Sequence, residues 1–414
     1  MTPTPTPSTP SAPAWGFDPW SPEFVAHPYE VYAGLREHAP VTYYAPSDQW
    51  LVSRHADVSA LLRDRRLGRT YLHRFSHEEF GRTAPPPEHE PFHTLNGNGL
   101  LDLEAPDHTR IRRLVSKAFT PRMVESLRPT VQRIAAELVD GLVADGGGDL
   151  IARVAEPLPV AVIAEMLGVP ESDRHLLRPW SAGIVGMFEL NPTAEAAERA
   201  VRASVEFSDY LRALIAERRR TPGDDLVSAL IAAYDEGEKL SEQEMISTCV
   251  LLLNAGHEAT VNTTGNGWWS LFRNPDQLAA LRADPEGLLP TAIEELMRYD
   301  TPLQMFERWV LDDIEVAGVS IPRGAEVALL FGSANRDPER FADPDRLDLA
   351  RTDNPHITFG AGIHFCLGAP LARLELTESF GALLRSAPEL RVVREPSWQP
   401  GYVIRGLSEL LVEV

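Results

Sequence analysis

Residues 359–368 read Phe-Gly-Ala-Gly-Ile-His-Phe-Cys-Leu-Gly, and the Cys366 in that stretch is one of two cysteines among 414 residues. Glycines at 360, 362 and 368 tolerate positive φ and let backbone approach closely. Ala369-Pro370 then opens a helix, because proline suits a first helical turn. A thiol just before a helix N-terminus, among free backbone N–H groups, is biased toward the thiolate. Most free cysteines are small buried hydrophobes, but this setting argues for chemistry. Structural zinc wants about four ligands, and a redox disulfide would need Cys249, over a hundred residues away. One exposed sulfur best suits a single axial thiolate on haem iron.

The rest of the chain bounds what surrounds that loop. It is 43% hydrophobic and 24% charged, an ordinary composition for a soluble globular protein. The opening MTPTPTPSTPSAPA is proline-rich and lacks the basic and apolar regions of a signal peptide, so residues 1–14 are expected to be a disordered tail. Without repeats or an internal linker, residues 15–414 are expected to form a single domain. No run of 18 apolar residues exists to cross a membrane. Two cysteines without an export signal point to a cytoplasmic location and away from a disulfide framework. A formal net charge of −21 disfavours nucleic acid and anionic membranes as partners.

Helical periodicity dominates from about Asp107 onward. Ser241-Glu-Gln-Glu244 has the spacing of a capping box. The pattern after it predicts one helix of thirty-odd residues through Trp268 and Trp269 to Phe272, stopped by Asn274-Pro275, which should cross the whole core. Pro285 opens another helix that should run to Tyr299. Residues 308–330 alternate β-branched and polar residues around Gly318 and Gly324, which predicts hairpins. A last helix should begin near Gly368 and end near Arg385, and the C-terminal tail reads as short strands. Residues 70–100, with Pro85-Pro-Pro87 and Asn96-Gly-Asn-Gly99, read as a long loop.

The spacing Phe359-Gly360-x-Gly362-x-His364-x-Cys366-x-Gly368 resembles the haem-binding loop of the cytochrome P-450 family. Two more matches follow the family's order. Glu295-Leu-Met-Arg298 resembles its structural Glu-x-x-Arg pair, and Ala255-Gly256-His257-Glu258 resembles the start of its oxygen-activating segment. The resemblance covers essentially the whole chain after the tail. It implies a mainly α fold with small β-sheets, haem b lying between a long central helix and the Cys-bearing loop, and Cys366 as the iron ligand. Phe359, Gly360 and Gly368 then shape the loop around the cofactor. His108, Arg112, Arg308 and His364 stand at the positions of the family's propionate partners, with His356 as a weaker fifth. His108 and Arg112 are spaced i, i+4 and can reach one side of a helix together. His257-Glu258 is not a zinc site, since position 261 is Val where a second histidine is required. His73 and His77, without further ligands, read as a polar face of the loop.

This chain departs from the pattern in two places. The family's acid is followed by a threonine, and acid and alcohol together relay protons for O–O cleavage. Here Glu258 is followed by Ala259, whose methyl cannot hydrogen-bond. Thr260 comes one residue later, rotated by about 100°, and should not substitute directly. Asn254 stands where the family usually carries an apolar residue, i, i+4 from Glu258. Together with Ala255, Gln304 and Phe306 it is expected to line a substrate pocket offering amide groups and an aromatic wall.

The expected function is a bacterial haem-thiolate monooxygenase that tailors a small secondary metabolite with O2. Electrons should come from a separate ferredoxin and its reductase, because two cysteines cannot hold a four-thiolate cluster beside a haem ligand and no Rossmann fingerprint is present. A basic patch of Arg110, Arg113, Lys117 and Arg373 should dock the ferredoxin. Two other readings stay open: oxidative aryl C–C or C–N coupling of an aromatic substrate such as a cyclic dipeptide, and a haem-binding sensor or carrier without turnover.

Overall fold

The capping box sets the start of the element that organises everything else. Ser241 Oγ accepts from the Glu244 N–H at 3.2 Å, and the Glu244 carboxylate accepts from the Ser241 N–H at 2.7 Å. From there a 32-residue helix runs over Glu242–Arg273, about 48 Å at 1.5 Å per residue. It is buried along most of its length, from Met245 and Ile246 through Val261 to Trp268 and Leu271, and it buries polar residues such as Asn262 and Asn266 as well. The computed structural model that shows this describes residues 15–190, 192–233 and 237–414. The expected tail, residues 1–14, lies outside them.

Around this central helix pack the helices Pro157–Leu167, Ala194–Arg220, Pro285–Tyr299 and Ala369–Ser386. The last begins one residue after Gly368. A five-stranded sheet lies to one side, in the order Val41–Tyr44, Gln49–Val52, Glu326–Leu330, Met305–Val310 and Leu67–Gly68. Gln49–Val52 pairs in parallel with Glu326–Leu330, and the other neighbours are antiparallel. The expected hairpin around Gly318 is the pair Ile314–Val316 and Val319–Ile321. The C-terminal tail is mostly irregular, with strands at Arg391–Val392 and Leu411–Glu413. Among the described residues no helix is long and apolar enough to cross a membrane.

The stretch expected to be a loop contains a helix, Glu90–Gly97, which buries Phe92 and Leu95. Two apolar residues in eight positions are too few to set a period. Gln304, expected to face substrate, belongs instead to a buried polar knot. Its Oε1 accepts from Tyr32 Oη at 2.9 Å, its Nε2 donates to Thr301 O at 2.6 Å, and Tyr402 Oη lies 2.8 Å from Tyr32 Oη. Both of its polar ends are thus taken by the protein.

Glu295 and Arg298 are fully buried and meet through two hydrogen bonds of 2.8 Å. Arg298 also donates to the carbonyls of Asn335 and Pro344, and Glu295 accepts from the Asp348 N–H and from Arg351. The pair ties the helix Pro285–Tyr299 to the segment that leads into the Cys366 loop.

Candidate active site

The loop's shape follows from its glycines. Gly360 and Gly362 sit at φ +67° and +70°, where residues with a Cβ are strained. A Cβ on Gly362 would also collide with the Leu62 carbonyl oxygen. The Cys366 N–H donates to Phe359 O at 2.9 Å, which closes the loop. Cys366 then lies below the start of the helix Ala369–Ser386, and the backbone N–H groups of Gly368 and Ala369 point at its sulfur. Burial pushes this thiol above its usual range, while the Gly368 N–H, Arg112, the Ala369 N–H and Arg373 oppose the shift. The sequence-based expectation of a thiolate bias is therefore corrected for the protein alone: the helix N-terminus acts as expected, but desolvation outweighs it. A coordinated metal ion deprotonates a thiol outright.

Cys366 lines a cavity of about 330 Å³ whose opposite wall is the central helix. One end of this cavity is strongly cationic. Arg308 is 3% exposed and donates to Glu307 O at 2.8 Å. Burial, with repulsion from Arg69, pushes it down to about 9. Arg69 donates to the same carbonyl and to Asp102, both at 3.1 Å. The two guanidiniums lie 4.5 and 4.6 Å from the Phe306 ring centroid. His364 Nε2 is 3.2 Å from Glu104 Oε1, and the His364 ring centroid lies 4.5 Å from that of His108. Arg112 donates to Phe365 O at 2.7 Å. His108 is buried with neither ring nitrogen partnered. Its pKa is pushed down to about 4, first by burial, then by His364 and Arg112.

Cations that line the cavity, with an orphaned histidine packed behind His364, call for an anionic group. Together with a sulfur enclosed at the same cavity, this donor set fits a haem, whose two propionates supply the anions. His356 does not join the cluster; its Nε2 lies 3.1 Å from Glu294 Oε2. Arg69 and Glu104 were missed in the sequence, where nothing local marks them.

The opposite wall carries the two departures. Gly256 lets the central helix approach Ile163, whose Cδ1 lies 2.8 Å from where a Cβ would stand. Asn254, Ala255, Glu258, Ala259 and Thr260 line the cavity. Burial raises the Glu258 pKa, Glu156 adds to this, and Arg178 opposes it. His257 Nδ1 lies 3.6 Å from Glu258 Oε1. The Thr260 hydroxyl lies near the carboxyl of Glu375 and lowers its pKa, but burial dominates and pushes this wholly enclosed group up to about 8. Glu375 Oε1 has no partner, and both residues line the cavity. Thr260 thus lines the cavity beside Ala259, one residue along from the expected alcohol position. Glu375 was missed, although a carboxylate amid apolar neighbours nine residues after Cys366 is a readable signal.

The fold and the thiol-bearing, cation-lined cavity define a haem-thiolate oxidoreductase. The profile of the family described as Cytochrome P450 matches residues 182–386. The chain is 44% identical over 377 residues to cytochrome P450 107B1 of Saccharopolyspora erythraea, covering 88% of this chain and 89% of that protein. It is 39% identical over 394 residues to the 6-deoxyerythronolide B hydroxylase of the same organism, covering 93% and 96%. The solved structure of the Bacillus subtilis bacillaene polyketide synthase cytochrome P450 PksS matches with a TM-score of 0.86 at 36% identity, over 96% of this chain and 99% of that one. The chain belongs to the cytochrome P450 family, as the Cys366 loop, the Glu295–Arg298 pair and the Glu258 segment led one to expect.

Proposed function

We propose that this protein oxidises a small natural product, of polyketide or related class, using O2 and electrons from a separate ferredoxin. The observation that carries this is the cavity shared by the Cys366 sulfur, the cationic end and the Glu258 wall. The relatives' names support the substrate class, since one is a 6-deoxyerythronolide B hydroxylase and another serves a bacillaene polyketide synthase. Haem bound there supplies reductive oxygen activation, and the chain supplies position, protons and exclusion of water.

In this reading Cys366 is the axial ligand, and His108, Arg112, Arg308 and His364 hold the propionates. Arg69 adds a further cation at that end. Phe359, Gly360 and Gly368 shape the thiolate side. Glu258, raised by burial, holds a proton nearer to neutral pH than an exposed carboxylate would. Thr260 Oγ1, near Glu375, offers a hydroxyl that Ala259 lacks. Ala255 and Phe306 bound the substrate space.

Ferredoxin docking rests on the loop's outer face, where Ile363 and Phe365 are 50% and 43% exposed. The basic patch expected beside it is largely spoken for. Arg110 pairs with Glu244, Arg113 with Glu238 at 3.7 Å and Arg373 with Glu294 at 2.6 Å.

The test is spectroscopic and chemical. Reduced protein with carbon monoxide should show the strongly red-shifted Soret band of thiolate-ligated haem, and Cys366→Ser should lose it. A mutant that keeps the band overturns the ligand assignment. Product mass then separates oxygen insertion from coupling, which removes hydrogen and adds no oxygen.

A further inference from the structure

Asn254, like Thr248 two turns earlier, is a buried polar residue of the central helix that lines the cavity with an unpartnered oxygen, and neither the fold nor the proton-handling groups use it. It is 5% exposed, lines the cavity that Cys366 lines, and its Oδ1 has no partner. Two other buried asparagines on the same helix show what a structural amide looks like. Asn266 Nδ2 donates to Arg405 O at 3.1 Å, and Asn262 packs against the backbone of Gly406. Each leaves one amide atom unpartnered, but the other end is set against protein and neither residue lines the cavity. Next to Asn254 the helix presents Leu251, Leu252 and Ala255 to that space, with Thr248 and Glu258 further along it on either side, so its amide faces the cavity between apolar neighbours.

A buried amide without a partner is costly unless something arrives to meet it. Water could do so in the resting protein, but an apolar substrate would displace that water and leave the amide stranded. A substrate carrying a hydroxyl or amide at the matching place would instead complete it. We propose that Asn254 is a specificity-determining residue that selects substrates with a hydrogen-bonding group, hydroxyl or amide, on the part of the molecule that enters the cavity beside Glu258. The substrate class narrows from small natural products in general to those already bearing such a group. The reaction that supplies this substrate must therefore leave a free hydroxyl or amide in place, as a ketoreduction or an amide-forming condensation does. This inference rests on Cys366 holding haem in the cavity.

The test uses ligands that reach the cavity whatever the native substrate is. An azole nitrogen ligates haem iron directly, so 1-phenylimidazole and its ortho, meta and para hydroxyl derivatives carry a ring with or without a hydroxyl into the space. Dissociation constants come from titrating the Soret shift of haem-loaded protein. At least one phenol should bind about tenfold or more tighter than 1-phenylimidazole in the wild type, since sites built for a polar group discriminate strongly. Asn254→Leu should abolish that preference while binding 1-phenylimidazole as well or better. Asn254→Val, smaller and also apolar, should behave alike and serves if the leucine variant does not load haem. The proposal is overturned if no phenol is preferred, or if the preference survives both substitutions. Absence of any nitrogen-ligation shift in the wild type would overturn the haem-thiolate reading itself, and this proposal with it.

Discussion

Glu375 is the side chain whose protonation the fold perturbs most plainly near the cavity. A buried carboxyl raised to about 8 from an unfolded value near 4.5 keeps its proton in the native state across a window where the unfolded chain releases it. Native stability therefore falls as pH rises from about 4.5 to about 8, by up to about 1.4 kcal/mol per pH unit. Glu375→Gln removes the titration and keeps the shape. Its urea midpoint should match wild type near pH 4.5 and exceed it progressively toward pH 8, by a few kcal/mol at the upper end. Parallel curves would show that Glu375 is ionised in the fold. Thr260→Val removes a hydroxyl that lowers the Glu375 pKa and should extend the declining limb further upward.

At the scale of elements, local signals were read well and distant ones were not. The capping box, the proline stops and the loop glycines act on their own neighbours, so the central helix and the Cys366 loop could be placed from sequence. Gln304 could not, because its partner Tyr32, and the Tyr402 that pairs with Tyr32, come from the two ends of the chain. Arg69 and Glu104 join the cationic end only when the sheet and the His108 helix have come together. Glu295–Arg298 was legible as a pair but not as a hub joining two elements. Arg298→Met would leave the Glu295 charge buried with Arg351 as its one cationic partner among the described residues. That should cost about 3–5 kcal/mol of stability, read from the urea midpoint. A variant that remains folded should still bind 1-phenylimidazole with wild-type affinity, because neither residue lines the cavity.

At the scale of the whole molecule, the net charge of −21 sets a general repulsion toward an acidic ferredoxin, and the paired arginines near the Cys366 loop offset it only in part. Apolar contact by Ile363 and Phe365 should then carry much of the docking. Phe365→Ala should slow electron transfer from ferredoxin severalfold without moving the carbon monoxide band. Rising salt should leave reduction unchanged or speed it modestly by screening that repulsion, as the screening length falls to about 8 Å near 0.15 M. Reduction that is unchanged in Phe365→Ala but collapses with salt would put the contact on charge instead.

The parallel pairing of Gln49–Val52 with Glu326–Leu330 also governs how the chain is made. The earlier strand leaves the ribosome about 280 residues before the strand it must lie against. At about 5–20 residues per second that is a delay on the order of tens of seconds. Throughout it, the hairpin of Val41–Tyr44 and Gln49–Val52 has an open edge where the central sheet will form. The nascent chain therefore carries an unpaired strand edge through that interval, and slowing translation upstream of Glu326 should lower the yield of soluble enzyme.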